Sequence, residues 1–362
     1  MNLMSFKPYE NSFVVELKRA SESIRKGRCG SHIFDQSLEI DPYFFEKMEK
    51  ASLSIIKQIM RGNVLRKTKK AFGLTTPKST HPDFISIDFA SVNGSGDKIT
   101  PKLVELQGFP SLSGVAAVAE QCRGDEGLVE ILRSIILKDT PPENTVMLES
   151  NLKGQVTIYD FEITQTILGI TPIDIKDVRF KNDIPYYFDH NGSPKQIKAI
   201  YNRVIPSTVP AEQRDNWEKI LNAEVRWVSH PDWYNAISKA SMPFIKGDFN
   251  PYCTFAEGYT GTLKNKVLKP IWGHGGKGIN LEPTKSDIAF LRGDWLIQDK
   301  LKMRPTILSP NGKLLFSEFR MMYALPAPKS KPILMAILFR AGETTNINIT
   351  GSQTNMLGFC HG

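Results

Sequence analysis

The sequence predicts a fold that mixes α+β and α/β elements, and two features of the chain support this fold class. Short apolar runs with a period of two, which is typical of strands, recur between longer segments whose apolar residues repeat at helical spacing. Residues 145 to 175 also show a strand–helix–strand order, which predicts a small parallel sheet. At 362 residues, with 41% hydrophobic and 23% charged residues, the chain has the composition of an ordinary soluble protein and enough length for two or three lobes.

The order of the predicted elements divides the chain into four parts. They are an N-terminal helical segment, a hairpin followed by helices, a small α/β domain, and a C-terminal part built around a glycine-rich loop. Their expected boundaries are residues 1–80, 81–140, 141–206 and 207–362.

In the first part, a helix is expected over residues 12 to 26, because its apolar residues form one stripe and Gly27 follows it. A second helix is expected to begin after Asp41, a suitable N-cap, and to continue to about Met60. The basic run over residues 61 to 70 is expected to be a solvated helix end, with binding of a phosphate-rich ligand as the alternative.

The second part is predicted to hold a β-hairpin that brings polar side chains together. Its elements are strands over residues 84 to 89 and 102 to 106, a turn between them at 93 to 97, and a helical stretch at 113 to 137. Asp88 and Glu105 would then share one face, together with Gln107, because side chains alternate with a period of two. Clustered acids favour a cation between them, and oxygen ligands suit Mg²⁺. The alternative is that both acids face solvent.

The third part is predicted to contain the parallel sheet and a second hairpin. The expected elements are strands at residues 145 to 148 and 171 to 175, a helix at 155 to 168, and a hairpin of residues 185 to 188 and 197 to 201. Arg203 follows a buried strand, at a place where α/β proteins often contact ligands.

The fourth part is predicted to alternate helices and strands before a polar tail. The expected elements are a linker at 206 to 210, a helix at 211 to 222, a helix from His230 that carries Lys239, strands at 295 to 300, 317 to 323 and 333 to 340, and a loop from 344 to 362. Glu318 and Arg320 would share one face of their strand.

The glycine-rich loop is the strongest single signal in the chain. An apolar strand delivers Lys269, and glycines follow at Gly273, Gly275, Gly276 and Gly278. Glycine allows backbone N–H groups to approach a ligand closely, and successive N–H groups form a concave anion site. This pattern predicts a nucleotide triphosphate site, with an ordinary surface loop as the alternative. No Gly-Lys-Ser/Thr ends the loop, so it is not a Walker A sequence.

Taken together, Lys239, Lys269 with its glycine-rich loop, Gln298 and Glu318-Phe319-Arg320 resemble the ATP-grasp fold. Members of that superfamily usually end with acidic metal ligands, which are absent from the end of this chain. The similar residues stand near the front, in the hairpin. This order resembles the circularly permuted ATP-grasp enzymes, namely the eukaryotic-type glutathione synthetases and the glutathionylspermidine synthetases, and the resemblance covers residues 83 to 362.

The resemblance implies a role for each of these residues. Asp88, Glu105 and Gln107 would be Mg²⁺ ligands, supplemented by Asn346 and Asn348, and Gln107 replaces the usual asparagine. ATP would be held by Lys239, Lys269, Gly273, Gly275, Gly276 and Gly278 at the phosphates, and by Gln298 and the backbone up to Lys300 at adenine. Arg320 and Arg340 would meet the acid substrate or its acyl phosphate. The acidic ligand that the family carries near the loop is replaced here by Gly273 or His274.

The implied activity is an ATP- and Mg²⁺-dependent ligase that joins a carboxylate to an amine or a thiol through an acyl phosphate. Its partners would be small-molecule acids and amines, and the chain would be a monomer or a homodimer. A small-molecule kinase on the same fold and a catalytically degenerate ATP-binding protein are the alternatives.

Other classes of function are not favoured. The formal net charge of +8 is not concentrated on one predicted face, as nucleic-acid binding requires. The four cysteines match no metal spacing and are expected to be reduced thiols of a cytoplasmic protein. No apolar run is long enough to span a bilayer, so no membrane association is expected.

The permuted arrangement makes one geometric prediction. Glu105 and Lys269 are far apart in sequence, yet both must contact the same phosphates and their metal. We therefore expect the Glu105 carboxylate within about 15 Å of the Lys269 ammonium, with Asp88 beside Glu105.

Overall fold

The structure is a computed structural model that describes most of the chain. The described residues are 3–29, 32–74, 81–96, 98–108, 111–272, 278–289, 291, 293–345, 347 and 355–361.

The strands, numbered in chain order, have the following bounds: β1 Ser5–Pro8, β2 His32–Ile33, β3 Gln36–Glu39, β4 Phe84–Asn93, β5 Ile99–Gln107, β6 Thr145–Glu149, β7 Thr171–Asp174, β8 Arg179–Lys181, β9 Ile184–Phe188, β10 Pro194–Gln196, β11 Ala199–Asn202, β12 Arg226–Val228, β13 Cys253–Phe255, β14 Lys266–Pro270, β15 Trp295–Asp299, β16 Ile307–Leu308, β17 Leu314–Ala324, β18 Ile333–Gly342 and β19 Met356–His361.

The α-helices have the following bounds: α1 Phe13–Ala20, α2 Glu22–Arg25, α3 Pro42–Met60, α4 Asn63–Phe72, α5 Ser113–Gln121, α6 Gly127–Ile136, α7 Ile158–Leu168, α8 Arg214–Asn222, α9 Pro231–Ala236 and α10 Lys285–Ile288. Short 3₁₀ turns connect several elements, and one of them is Lys239–Phe244.

A large mixed sheet, here called the central sheet, organises the molecule. Its strand order is β1-β3-β19-β18-β17-β4-β5, with β16 beside β17 and β2 beside β19. The long strands β4, β5, β17 and β18 pair antiparallel, whereas β19 runs parallel to β3.

Helices cover both faces of the central sheet and so bury it. On one face, Phe44 and Met48 of α3 pack with odd-numbered residues of β4, β17 and β18 such as Phe319. On the other face, α1, α5, α6 and α7 pack on even-numbered residues such as Phe84 and Met322. Burial on both faces explains why β4 is buried from its first residue to its ninth.

Smaller sheets flank the central sheet at two different places: the parallel sheet lies near the start of β4, where Tyr201 contacts Phe84, and the cleft sheet lies at the charged end of the hairpin. The parallel sheet, with strand order β12-β11-β6-β7, has its own core against α8, where Trp217 and Ile220 are buried. The cleft sheet, with order β13-β15-β14, is antiparallel. Phe72 of α4 contacts Phe255 and Trp272 edge-on, which attaches the cleft sheet to the N-terminal helices.

Several predicted elements are present with corrected bounds. The predicted first helix is interrupted at Ser21, which is extended and accepts a bond from the amide of Ile24 at 3.2 Å, so that α2 begins there. Asp41 caps α3 as predicted, by accepting from the amide of Phe44 at 2.9 Å. The basic run belongs to a separate helix, α4, which follows the left-handed Gly62.

Three further predictions were wrong in detail, each because tertiary contacts decided the local structure. The stretch 113 to 137 forms two helices, separated by a turn that contains Gly124 at φ +79°. In the second hairpin, β9 pairs with β10, whereas β11 joins the parallel sheet beside β6. The tail was predicted to be a loop, but its last residues form β19 inside the central sheet.

No helix in the described ranges combines the length and the apolar character that a membrane span requires.

Candidate functional site

One face of the central sheet changes from apolar to charged along its strands. Near α5 and α7 this face carries Met322 and Leu338, and further along the same strands it carries Arg320 and Arg340. Arg320 lies opposite Asp88 in the strand register. Beyond the helices, the charged part of this face lies against the cleft sheet, and this is where the predicted site residues meet.

Asp88 lies at the centre of this charged face. Its Oδ1 accepts from Nε of Arg320 at 2.7 Å and its Oδ2 accepts from Nη2 of Arg320 at 2.8 Å, which is a bidentate pair. Nη2 of Arg340 also donates to Asp88 Oδ2 at 2.7 Å, and the same nitrogen lies 2.8 Å from Glu318. The Asp88 side chain is only 1% exposed. Burial alone would raise its pKa, but Arg320 and Arg340 outweigh burial and hold the pKa below its ordinary value.

Glu105 lies beside Asp88, as its cross-strand partner. Its Oε1 accepts from the Lys239 ammonium at 2.7 Å. The sequence analysis placed Lys239 within a helix, but α9 ends at Ala236 and Lys239 is the first residue of the following 3₁₀ turn. This turn packs against β5 and thereby brings the ammonium to Glu105.

A β-bulge at Val104 shapes this part of β5. Asp88 is paired with Glu105 and Phe89 with Leu103, so Val104 is the extra residue. Its carbonyl accepts from the Lys269 ammonium at 3.4 Å. Beyond the bulge, the residues of β5 pair with β4 one for one, so that Asp88 is opposite Glu105 and Ser86 is opposite Gln107. Glu105 and Gln107 therefore lie on the same face of the sheet as Asp88, as predicted.

Lys269 of β14 lies where the cleft sheet contacts the hairpin formed by β4 and β5. Burial lowers the pKa of its ammonium below the ordinary value, although Glu105 and Glu318 act in the opposite direction. Within the described ranges, no carboxylate lies within ion-pair distance of this ammonium. Since Val104 adjoins Glu105, the contact at 3.4 Å brings the Glu105 residue and the Lys269 ammonium close together.

A cavity of about 210 Å³ separates the cleft sheet from the central sheet. Its polar wall contains residues that the sequence analysis selected, namely Glu105, Lys269, Gln298, Lys300 and Arg340. Its apolar wall consists of aliphatic and thioether side chains, namely Val267, Ile279, Leu281, Leu301, Met303 and Ile347. Larger surface grooves, of about 810, 800 and 450 Å³, are lined by other described residues.

The residues expected near adenine have other contacts as well. Gln298 is 2% exposed, and its amide nitrogen donates to the carbonyl of Leu103 at 3.1 Å, which holds β15 against β5. Lys300 lies at the cavity with its ammonium 3.6 Å from Glu282.

Some predicted residues fall outside the described ranges. They are Gly273, Gly275, Gly276, His274, Asn346 and Asn348. Gly278 is described and has φ +76°, a conformation that favours glycine.

The described residues do not fit the predicted Mg²⁺ site. Among them, no group of three or more histidine, cysteine, aspartate or glutamate side chains is placed to hold a metal ion. Asp88 is engaged by two guanidinium groups and Glu105 by an ammonium. A carboxylate that already neutralises a buried cation is a poor metal ligand, because the metal must displace that cation.

A second polar cluster lies at the carboxyl ends of the parallel strands. Arg203 follows β11, and its Nη1 donates to Asp160 Oδ2 at 2.8 Å. Asp160 also accepts from the backbone amides of Leu112 and Gly114, at the start of α5. Glu149, the last residue of β6, is 5% exposed, and burial raises its pKa to about 7. The sequence analysis named Arg203 but missed Asp160 and Glu149.

The position of Glu149 offered a signal that was available in the sequence. It follows a buried strand of a βαβ unit, where ligand contacts of α/β proteins collect. Asp160 gave no such signal, because an aspartate in the first turn of a helix usually faces solvent there.

The raised pKa of Glu149 makes stability depend on pH. The folded state holds the proton more tightly than the unfolded state, so this stabilisation is complete below the unfolded pKa of 4.5 and is lost as pH rises through about 7. Relative to Glu149→Gln, the native protein should lose about 3 kcal/mol of unfolding free energy over that range. Urea denaturation at a series of pH values measures the difference. The exposed Glu143→Gln is the control and should follow the native protein. Equal pH slopes for the native protein and Glu149→Gln would contradict the assignment.

Comparison with known proteins gives a fold relationship. No family model matches the chain, and no curated protein sequence matches it significantly. Among solved structures, the chain is similar to the apo form of a glutathione synthetase-like effector, GSS30, from Globodera pallida, with a TM-score of 0.52 and 10% sequence identity over 96% of each chain. At such identity the similarity concerns the fold alone. This chain therefore has a mixed α+β fold similar to that of a glutathione synthetase-like effector.

Proposed function

We propose that this chain has a permuted ATP-grasp fold, binds ATP between the cleft sheet and the central sheet, and uses it to join a small-molecule carboxylate to an amine or a thiol. The observation that carries this proposal is the cavity of about 210 Å³, at which Lys269 and Arg340 lie opposite an aliphatic wall. The glutathione synthetase-like fold supports the same class of reaction by analogy.

The cavity has the two chemical halves that a nucleotide needs. Its aliphatic wall suits the flat face of a base, and its basic wall suits phosphate oxygens. Lys269 has a lowered pKa because of burial, and an anionic phosphate beside it would favour the charged ammonium. The cavity is smaller than the usual range of about 300–1,000 Å³, so binding requires the two sheets to separate.

The proposed reaction has two steps. A carboxylate oxygen of the acid attacks the γ-phosphorus of ATP, the bond from that phosphorus to the bridging oxygen breaks, and ADP leaves. The amine nitrogen or thiol sulfur then attacks the carbonyl carbon, phosphate leaves with the former carboxylate oxygen, and the nucleophile loses its proton. In this scheme the basic side chains orient and neutralise the phosphates, and enclosure between the sheets excludes the water that would hydrolyse the acyl phosphate.

The second polar cluster is proposed to select one of the two substrates. Arg203 and Glu149 lie at the carboxyl ends of the parallel strands, and Asp160 connects Arg203 to the start of α5. The loop before α5 follows directly from β5, so the cluster is linked through the chain to Glu105 and Gln107.

A turnover assay tests the ligase proposal. The protein is incubated with ATP and pools of amino acids, short peptides and polyamines, and the products are identified by mass spectrometry. We expect ADP, phosphate and a condensed product that forms only when acid and amine are both present. A phosphorylated acid or alcohol that accumulates without condensation would indicate the kinase instead.

A second candidate function is ATP binding without turnover. The observation that favours it is the pairing of Asp88 with Arg320 and Arg340 and of Glu105 with Lys239, so that both predicted carboxylate ligands already have cationic partners. ATP binding without ADP production in any pool would support this candidate over the ligase.

A further inference from the structure

Basic side chains of the protein lie beside the carboxylates that the resemblance to ATP-grasp enzymes predicted to be metal ligands. The Lys239 ammonium lies 2.7 Å from Oε1 of Glu105, where a metal bound to that oxygen would lie. Arg320 and Arg340 contact both oxygens of Asp88 at 2.7 to 2.8 Å. The carboxylates on which the predicted metal site depends are therefore already neutralised by basic side chains.

The basic groups also outnumber the acids around the cavity. Among the described residues, the cluster contains the basic groups of Lys239, Lys269, Arg320 and Arg340 and the acidic groups of Asp88, Glu105 and Glu318. Lys300 and Asp299, which also line the cavity, add one charge of each sign and leave the balance unchanged. Four positive charges against three negative charges leave one positive charge. The excess is at Lys269, whose ammonium donates to the neutral carbonyl of Val104 at 3.4 Å. An excess cation beside a cavity attracts an anion and repels a divalent metal.

Replacing the basic partners of Asp88 and Glu105 with a metal ion is energetically unfavourable. A metal bound to Asp88 would take that carboxylate from Arg320, whose side chain is only 9% exposed, and would leave the guanidinium buried and unpaired. A phosphate requires no such exchange. Nε of Arg340 is buried and has no hydrogen-bond partner within the described part of the chain, and the Lys269 ammonium has only its long contact to Val104.

Resting on the nucleotide site proposed above, we propose that this chain neutralises the nucleotide phosphates with its own lysine and arginine side chains and binds the nucleotide without a divalent metal. Lysine acts on phosphate as a compact point charge, and arginine offers directed N–H donors. Lys239 occupies the place of the metal at Glu105, and Lys269 and Arg340 supply the contacts to the phosphates.

Isothermal titration calorimetry with ATP tests this proposal on the full chain. Titrations are run at matched ionic strength in excess EDTA and in excess Mg²⁺. We expect ATP to bind in EDTA with an affinity at least equal to that in Mg²⁺, because free ATP carries more negative charge than its magnesium complex. Binding that weakens in EDTA by about tenfold or more, equivalent to 1.4 kcal/mol, would overturn the metal-free proposal and leave the nucleotide site intact. No binding under either condition would overturn the nucleotide site, and this proposal with it.

A charge-matched pair of variants tests the role of Lys239. In Lys239→Met, Glu105 loses its ammonium partner, and we expect Mg²⁺ to strengthen ATP binding by about tenfold or more. Lys313→Met is the control, because Lys313 forms an exposed ion pair with Glu343, and it should behave like the native protein. A folded Lys239→Met that binds ATP equally with and without Mg²⁺ would remove Lys239 from the cation position. If this variant does not fold, as circular dichroism would show, the EDTA comparison on the native protein decides the proposal alone.

Discussion

Replacement of Asp88 by asparagine should lower the free energy of unfolding by about 3–5 kcal/mol, the usual cost of breaking a buried ion pair. Asp88 is almost fully buried and is the anion shared by Arg320 and Arg340. An asparagine has nearly the same volume, so the loss measures charge and hydrogen bonding rather than a cavity. Urea denaturation monitored by far-ultraviolet circular dichroism measures the effect at neutral pH.

An exposed ion pair supplies the control for this prediction. Glu39 pairs with Lys7 at 2.7 Å, and their side chains are 47% and 54% exposed. Glu39→Gln should therefore change the unfolding free energy by less than about 1 kcal/mol. If Asp88→Asn lowers the unfolding free energy as little as Glu39→Gln does, Asp88 does not stabilise the buried guanidinium groups of Arg320 and Arg340. Our interpretation of this charged face would then be wrong.

Lys269→Met should weaken ATP binding by about tenfold to a hundredfold, which is the range for loss of a charge-assisted hydrogen bond of 1.5–3 kcal/mol. The fold should remain stable, because burial disfavours this ammonium and its hydrogen bond to the carbonyl of Val104 is long, at 3.4 Å. Calorimetry with ATP measures the affinity, and thermal unfolding checks the fold.

The charge of Lys269 adds a pH dependence with a definite sign. Its pKa lies below the ordinary value, so nucleotide affinity should begin to fall at a lower pH than expected for an exposed lysine. The exposed Lys264→Met is the control and should leave affinity unchanged. An unchanged affinity in Lys269→Met would exclude Lys269 from the site.

The sequence was most informative where one residue determines a local structure. Asp41 predicted its helix because a capping side chain acts within one turn. Period-two alternation predicted the hairpin of Asp88 and Glu105, and the two acids do lie side by side. The resemblance to permuted ATP-grasp enzymes led to the prediction that this hairpin lies near Lys269. No local pattern in the chain predicts that proximity.

The sequence was least informative where distant residues decide the outcome. The partners of Asp88 are more than 230 positions away, so its pairing with arginines rather than a metal has no local signal. The predictions that Lys239 lies in a helix and that the tail is a loop were wrong for the same reason. A strand that follows a polar segment looks like part of a loop in the sequence, and only its pairing with β18 and β3 identifies it as a strand.

The position of β19 sets the order in which this protein can be completed during synthesis. This strand lies between β3 and β18, so β1 and β3, which are made first, join the central sheet through a segment made more than 300 residues later. Until β19 has been synthesised, β3 can pair with β1 but has no partner on its other side, and the edge of β18 stays open to other chains. Pairing across such a sequence separation is slow, and an open edge of this kind promotes aggregation. Assembly of the central sheet is therefore complete only after β19 has been synthesised.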